Sequence, residues 1–178
     1  MGGVTRAQKF QGRVMADGLA IASETALIGV GATLILDLWT LFLKIAFRVP
    51  ATNYAMVGRW IGHFPRGRWA HVSIADAPAV VGEHAIGWIA HYGIGILYAG
   101  LLVLVGGTAW LSAPTLLPAL GVGLATVAAP FFLMQPAMGF GVASSRARKP
   151  GAARLKSLVA HSVFGLGLYL TALLGMSV

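Results

Sequence analysis

The sequence has no cysteine and few charged residues. Without cysteine the chain has no disulfide, no thiolate metal site, no iron–sulfur cluster and no cysteine nucleophile. Only 10% of its 178 residues are charged, against about 25% in a typical soluble domain. Serine nucleophile elbows, phosphate-binding loops and H-E-x-x-H motifs are also missing. These absences argue against a water-soluble globule and leave no recognisable catalytic motif.

The chain is rich in apolar residues, with 57% hydrophobic residues and 24 glycines. A helix that crosses about 30 Å of hydrocarbon needs roughly 20 residues. Four charge-poor runs predict spans at about residues 21–47, 83–105, 114–135 and 157–176. The predicted fold is an all-α integral membrane four-helix bundle, with residues 1–20 as an N-terminal extension and residues 21–178 as a single membrane domain.

The predicted spans contain glycine pairs and one internal proline that affect how the helices pack and bend. Each span contains a Gly-x-Gly sequence near its middle, which predicts close helix packing, because small residues let backbones approach. Pro130 predicts a kink in the third span, since it cannot donate to the carbonyl of Thr126. The Gly-x-Gly pairs are Gly29/Gly31, Gly93/Gly95, Gly121/Gly123 and Gly165/Gly167.

The basic residues predict the orientation. Of the 13 Lys and Arg residues, Arg6, Lys9 and Arg13 precede the first span, and the other ten fall at the two long loops on the opposite side. Because Lys and Arg concentrate in cytoplasmic loops, both long loops are predicted to be cytoplasmic and both termini outside. Since these bases lie beside membrane segments, no nucleic-acid partner is expected.

The first long loop, Val49 to Gly82, contains a predicted amphipathic helix capped by Thr52. We expect this helix to lie in the headgroup layer, with its basic side chains on the phosphates of anionic lipids at the cytoplasmic face. The alternative is an anionic substrate near the turn that follows the helix. The residues predicted to make lipid or anion contact are Arg59, Arg66 and Arg68.

Ionisable residues within the spans are costly and usually find partners in the bundle interior. Counted from the cytoplasmic ends, Asp37, His91 and His161 lie at similar depth, so we predict that they form one buried polar cluster. Three further candidates lie nearer the surface: Gln135, Glu83 and His84.

Four interpretations of this cluster remain open. An Asp–His hydrogen bond can simply hold helices together. Asp37 and the histidines can carry protons or bind a cation or small solute. His91 and His161 can be axial ligands of a haem b, with Gly95 and Gly165 clearing the adjacent faces. Finally, the two histidines with Asp37 and Glu83 can bind Zn²⁺ or Fe²⁺.

Several motifs are distinctive when taken together. They are Asp37-Leu38-Trp39, NYAMVGRWIGHFPRGRWAH at 53–71, Gly82-Glu83 with Gly87-Trp88 and His91-Tyr92, PTLLPALGVGLATVAAPFFLMQPAMG at 114–139, and 155–169. From about Leu27 to Ala172 the chain resembles a bacterial family of small four-helix integral membrane proteins, which is catalogued only as a domain of unknown function. The resemblance implies a bacterial cytoplasmic membrane and no particular activity.

The residues favour a non-enzymatic membrane protein, and the resemblance adds no activity to this interpretation. It would be a bundle that handles a small ligand, an ion or a proton, or an accessory subunit of a membrane complex. The alternative is a redox subunit that holds haem or metal at His91 and His161. A homo-oligomer or a larger membrane complex is compatible with this interpretation.

The predicted orientation is testable with reporter fusions. Because the bias in basic residues lies close to the span ends, fusions after Trp110 and after Val178 should both report a periplasmic position. Alkaline phosphatase and fluorescent-protein fusions at these two points are the measurement. A cytoplasmic signal from either fusion would contradict the orientation.

Overall fold

The computed structural model describes residues 6–175, with side chains from residue 14 onward. Within this range the chain has helices and turns and no strand, which confirms the all-α fold class. The α-helices are α1 (Arg6–Phe47), α2 (Tyr54–Gly62), α3 (Glu83–Gly106), α4 (Ala109–Ser112), α5 (Leu116–Ala125), α6 (Gln135–Ala137) and α7 (Pro150–Gly175). Between them lie 3₁₀ turns at Phe64–Arg66 and Val142–Ser144 and a π-helical turn at Pro130–Met134.

Four segments are long and apolar enough to cross a membrane: Val14–Phe47, Glu83–Gly106, Leu116–Ala137 and Pro150–Gly175. Each of the four predicted spans therefore coincides with one of these helical segments. Two helices begin earlier than predicted, α1 at Arg6 and α7 at Pro150. The predicted spans began where the charged residues end, but charge does not end a helix. Arg, Lys and Ala are good helix formers, and proline suits the first turn, so both helices extend beyond the apolar run.

The four long segments form a ring. Helix α1 packs against both α3 and α7, and α5 packs against α7 and, less extensively, against α3. Helices α3 and α7 therefore lie across the ring from one another. The buried apolar residues between the helices are Ile28, Ala32, Ala99, Leu102, Trp110, Leu111, Ala119, Val122, Phe164, Leu168 and Ala172.

Glycines lie where the helices approach most closely. A Cβ atom added to Gly29 would lie 2.6 Å from the Cα of Ile96, and one added to Gly123 would lie 2.6 Å from the Cα of Gly165. The predicted close packing is thus present at these crossings. It does not extend to Gly93 and Gly121, where an added Cβ meets no atom within 4 Å.

The third span changes its helical geometry at Pro130, where a kink was predicted. The five residues Pro130–Met134 form a π-helical turn, and the backbone N–H of Gln135 donates to the carbonyl of Pro130. Since proline has no N–H, the regular bond to Thr126 is lost, and the wider turn supplies other partners for the backbone groups.

Helix α2 is the amphipathic helix predicted in the first loop. Its cap is Asn53, whose side-chain oxygen accepts a hydrogen bond from the backbone N–H of Ala55 at 3.1 Å. Thr52, the predicted cap, lies one residue too early. The helix packs on α3 through Gly58 and Gly87, because the backbone of α3 leaves no space for a side chain at Gly58, and that of α2 leaves none at Gly87.

The two long loops meet at one end of the bundle. The backbone N–H of His71 donates to the carbonyl of Ala137 at 2.7 Å, and that of Ile74 donates to the carbonyl of Met138 at 3.1 Å. Gly139 has a φ of +92° and lies against the carbonyl of Val72. Main-chain hydrogen bonds therefore join the loop after α2 to the end of the third span.

The glycine crossings predict a position-dependent effect of leucine. Gly165→Leu should destabilise the protein by about 1–3 kcal/mol, because a side chain there overlaps the backbone of Ala119 and Leu120. Thermal unfolding in detergent is the measurement, and Gly95→Leu should behave in the same way. The matched controls are Gly121→Leu and Gly93→Leu, which should unfold like the parent. Equal effects at all four positions would contradict this packing.

Candidate functional site

The candidate site is a hydrogen-bonded cluster around Asp37 of α1. One carboxylate oxygen of Asp37 lies 2.9 Å from Nε2 of His91, and the other accepts a hydrogen bond from the hydroxyl of Tyr92 at 3.0 Å. The side chains of Asp37 and His91 are only 17% and 12% exposed. The sequence predicted that these two residues meet, and the structure brings them together across α1 and α3.

A third element contributes Tyr54. Its hydroxyl lies 3.1 Å from Nε2 of His91, and its ring stacks on the imidazole with centroids 4.2 Å apart. Trp88 adds a further aromatic ring, and its ring centroid lies 4.7 Å from that of Tyr54. Tyr54 begins α2, outside the spans, so the cluster connects the membrane interior to the loop region.

The contact between Gly58 of α2 and Gly87 of α3 brings the side chain of Tyr54 against that of His91. Because Gly58 and Gly87 bring the two backbones together, the first turn of α2 lies beside α3 one turn before His91. On α3, Trp88, His91 and Tyr92 follow the three- and four-residue spacing of one helix face. Sequence reasoning missed both tyrosines. The helical spacing of Tyr92 from Trp88 could have placed it beside His91. No pattern in the sequence around Tyr54 predicted its contact with His91.

The cluster offers two arrangements of its protons. In the first, Nε2 of His91 carries the proton and donates to the Asp37 carboxylate, with the Tyr54 oxygen nearby as a second acceptor. In the second, the same proton lies on Asp37, which donates it in a hydrogen bond to Nε2, and Nδ1 of His91 carries a proton in both arrangements. Both arrangements fit the same heavy-atom positions, so one proton can move between carboxylate and imidazole without rearrangement of the helices.

Electrostatics favour the protonated form of Tyr54. Burial raises the pKa of its phenol, and the negative charge of Asp37 raises this pKa further. Tyr54 therefore remains a neutral hydroxyl that can donate and accept, which is what a proton-exchanging chain requires.

His161 does not join this cluster. Its Nδ1 lies 2.9 Å from the hydroxyl of Thr126 and 3.2 Å from the carbonyl of Gly123, both on the third span. The prediction from depth holds for Asp37 and His91 but not for His161, because residues at equal depth can face different neighbours.

The helix faces at Gly95 and Gly165, next to the two histidines, are also occupied by neighbouring helices. The position of Gly95 faces Thr33 and Gly29 of α1, and that of Gly165 faces Ala119 of α5. The haem hypothesis requires these faces to be free. For the metal hypothesis, the described residues contain no group of three or more His, Asp or Glu side chains that could hold an ion.

The predicted surface candidates lie apart from the cluster. Glu83 pairs with Arg59, His84 is exposed, and Gln135 is buried with a side-chain oxygen that has no partner in the described part of the chain. Arg66 and Arg68 are exposed in the turn after α2.

Arg59 is engaged within the protein, although it was predicted to contact lipid phosphates. Its Nε and Nη2 donate to the two oxygens of Glu83 at 2.9 and 2.8 Å, and this interaction raises the pKa of Arg59. Its Nη1 donates to the carbonyls of Ile74, Ala75 and Ala77. These bonds occupy the guanidinium and order the loop before α3.

A second pair of histidines lies where the loops meet. Nδ1 of His63 and Nε2 of His71 are 2.7 Å apart, and His63 is 2% exposed. Since the two nitrogens share one proton, a proton on each of them would set two N–H donors against each other. Burial lowers the pKa of His71, and repulsion from His63 and Arg68 lowers this pKa further.

Comparison with known proteins assigns the chain to a family. Residues 26–175 match the family model described as "Protein of unknown function (DUF2938)". The chain belongs to the DUF2938 family. No curated protein and no solved structure matches this DUF2938 chain. The resemblance to a family catalogued as a domain of unknown function is thus confirmed, and the family description carries no activity.

The histidine pair predicts acid-sensitive stability. Because the pKa of His71 is below its ordinary value of 6.5 in the folded protein, the unfolded chain binds more protons under mildly acidic conditions. The contribution of His71 to stability should be constant above about pH 6.5 and fall as the pH decreases from that value toward the folded-state pKa. Thermal unfolding in detergent at a series of pH values is the measurement.

His71→Gln should reduce this acid-induced loss. His84→Gln, which changes an exposed histidine, is the matched control and should retain the loss. An identical pH profile for wild type and His71→Gln would contradict the assignment.

Proposed function

We propose that this protein is a non-enzymatic, proton-binding membrane bundle. The observation that supports this proposal is the Asp37 carboxylate, which lies within a span and is hydrogen-bonded to both His91 and Tyr92. A carboxylate and an imidazole in contact can accept and release a proton, and ionisable pairs within spans are typical of proton-handling proteins.

Tyr54 provides the connection to the loop side. Its hydroxyl lies at hydrogen-bond distance from His91, and its residue is outside the spans. We infer that protons reach the Asp37–His91 pair through this hydroxyl. On the other side of Asp37, α1 continues with the apolar residues Leu34, Ile35 and Leu36, which offer no relay. The pair would therefore bind protons from one side without conducting them across.

We also propose a bacterial cytoplasmic membrane as the location, with the loop side in the cytoplasm and both termini outside. The ten basic residues at the two long loops support this orientation. Arg66 and Arg68 are exposed and suited to anionic headgroups, whereas Arg59 is occupied by Glu83. A proton-responsive bundle of this kind suits an accessory subunit of a membrane complex.

The experiment is pH-difference infrared spectroscopy of the protein reconstituted in liposomes. Acidification should produce carboxyl and imidazole protonation bands in the wild type. Asp37→Asn should remove one carboxyl band from the wild-type difference spectrum, and His91→Gln should remove one set of imidazole bands, because each variant deletes one partner while the other acids and histidines remain. Tyr54→Phe should slow hydrogen–deuterium exchange of these bands without abolishing them.

Two matched controls lie outside the cluster. His161→Gln alters the other histidine within a span, and Tyr98→Phe alters another tyrosine of α3, so both should retain the wild-type bands. Liposomes loaded with a pH-sensitive dye should dissipate a pH gradient no faster with the protein than without it. If wild type and Asp37→Asn give the same difference spectrum, the proposal is wrong.

A further inference from the structure

A groove lies between α1 and α7 at the end of the bundle opposite the docked loops. It has a volume of about 450 Å³. One side of its lining is apolar, with Leu27, Ile28 and Ala172, and the other presents the polar side chains of Ser23, Glu24 and Thr171. Leu27 is 70% exposed, so in a membrane the groove opens toward lipid.

Glu24 is the unusual residue of this groove. It is half-buried, and its carboxylate has no hydrogen bond or ion pair among the described residues. The connection between α3 and α5 at this end, residues 107–115, contains no charged residue. A carboxylate at a membrane edge without a counter-ion is costly, because hydrocarbon does not solvate its charge.

The position of Glu24 restricts what can supply the missing positive charge. Glu24 lies level with the last turn of α7, since Leu174 and Gly175 line the same groove. Glu24 and Lys44 lie 20 residues apart on α1, about the length that crosses the hydrocarbon, and this places Glu24 near the boundary between acyl chains and headgroups on that side. An ammonium carried by a phospholipid reaches this depth, while its acyl chain covers the apolar wall.

We propose that this groove binds a phospholipid with a primary ammonium headgroup. The ammonium pairs with the carboxylate of Glu24. An acyl chain lies along Leu27, Ile28 and Ala172. The hydroxyl of Thr171, which has no hydrogen-bond partner in the described part of the chain, is available to the lipid phosphate. A primary ammonium is preferred to a trimethylammonium because it can donate hydrogen bonds to the carboxylate.

The test is native mass spectrometry of the full chain in detergent, titrated with phosphatidylethanolamine, phosphatidylcholine or phosphatidylglycerol of identical acyl chains. We expect the wild type to bind phosphatidylethanolamine most tightly. Glu24→Gln should weaken that binding about fivefold, the effect of losing a partly exposed ion pair. Free ethanolamine should bind much more weakly, because it lacks the acyl chain.

Asp17→Asn is the matched control, because it removes the same charge from an exposed position of α1 outside the groove. This variant should bind phosphatidylethanolamine like the wild type. If Glu24→Gln does not fold, Thr171→Val and the headgroup preference of the wild type decide the question. Equal affinity of the wild type for the three lipids, or unchanged affinity in Glu24→Gln, would overturn the proposal.

Discussion

The backbone contact between Gly58 and Gly87 is the constraint on which the candidate site depends. Each glycine lies so close to the opposite helix that a side chain at either position would overlap its main chain. Only this approach allows the first residue of α2 to reach His91 in the third turn of α3. The pairing of Arg59 with Glu83 reinforces the contact, because it fixes the last turn of α2 to the first residue of α3. A contact between two loop-side helices therefore determines the environment of a carboxylate within the membrane.

The cluster around Asp37 also illustrates how a bundle accommodates polar groups in hydrocarbon. Both carboxylate oxygens have partners, and aromatic rings cover the imidazole. His161 finds separate partners in the neighbouring span, namely the hydroxyl of Thr126 and the carbonyl of Gly123. Asp37 and His161 thus find their partners within two separate pairs of adjacent helices. The ring does not need a continuous polar interior, and its centre remains apolar.

Much of the fold could be predicted because hydropathy reports the local solvent of each segment. The four spans, the amphipathic helix and the irregular turn at Pro130 all follow from residues that are close in sequence. The meeting of Asp37 and His91 followed from depth, which residue counting provides. Depth contains no information on the direction in which a side chain faces, and this explains the misplacement of His161. Tyr54 and the Arg59–Glu83 pair required knowledge of how α2 lies on α3, which no local pattern encodes.

The joint between the two long loops has a consequence for sequence variation. It is made by main-chain donors and acceptors, from His71 to Ala137 and from Ile74 to Met138. Since almost any residue supplies these groups, the side chains of this region are free to diverge while the joint persists. Gly139 is the exception, because its positive φ and its contact with Val72 leave no room for a β-carbon. Evolution can therefore change the side chains around Gly139 and present different chemistry to the surroundings on the same scaffold.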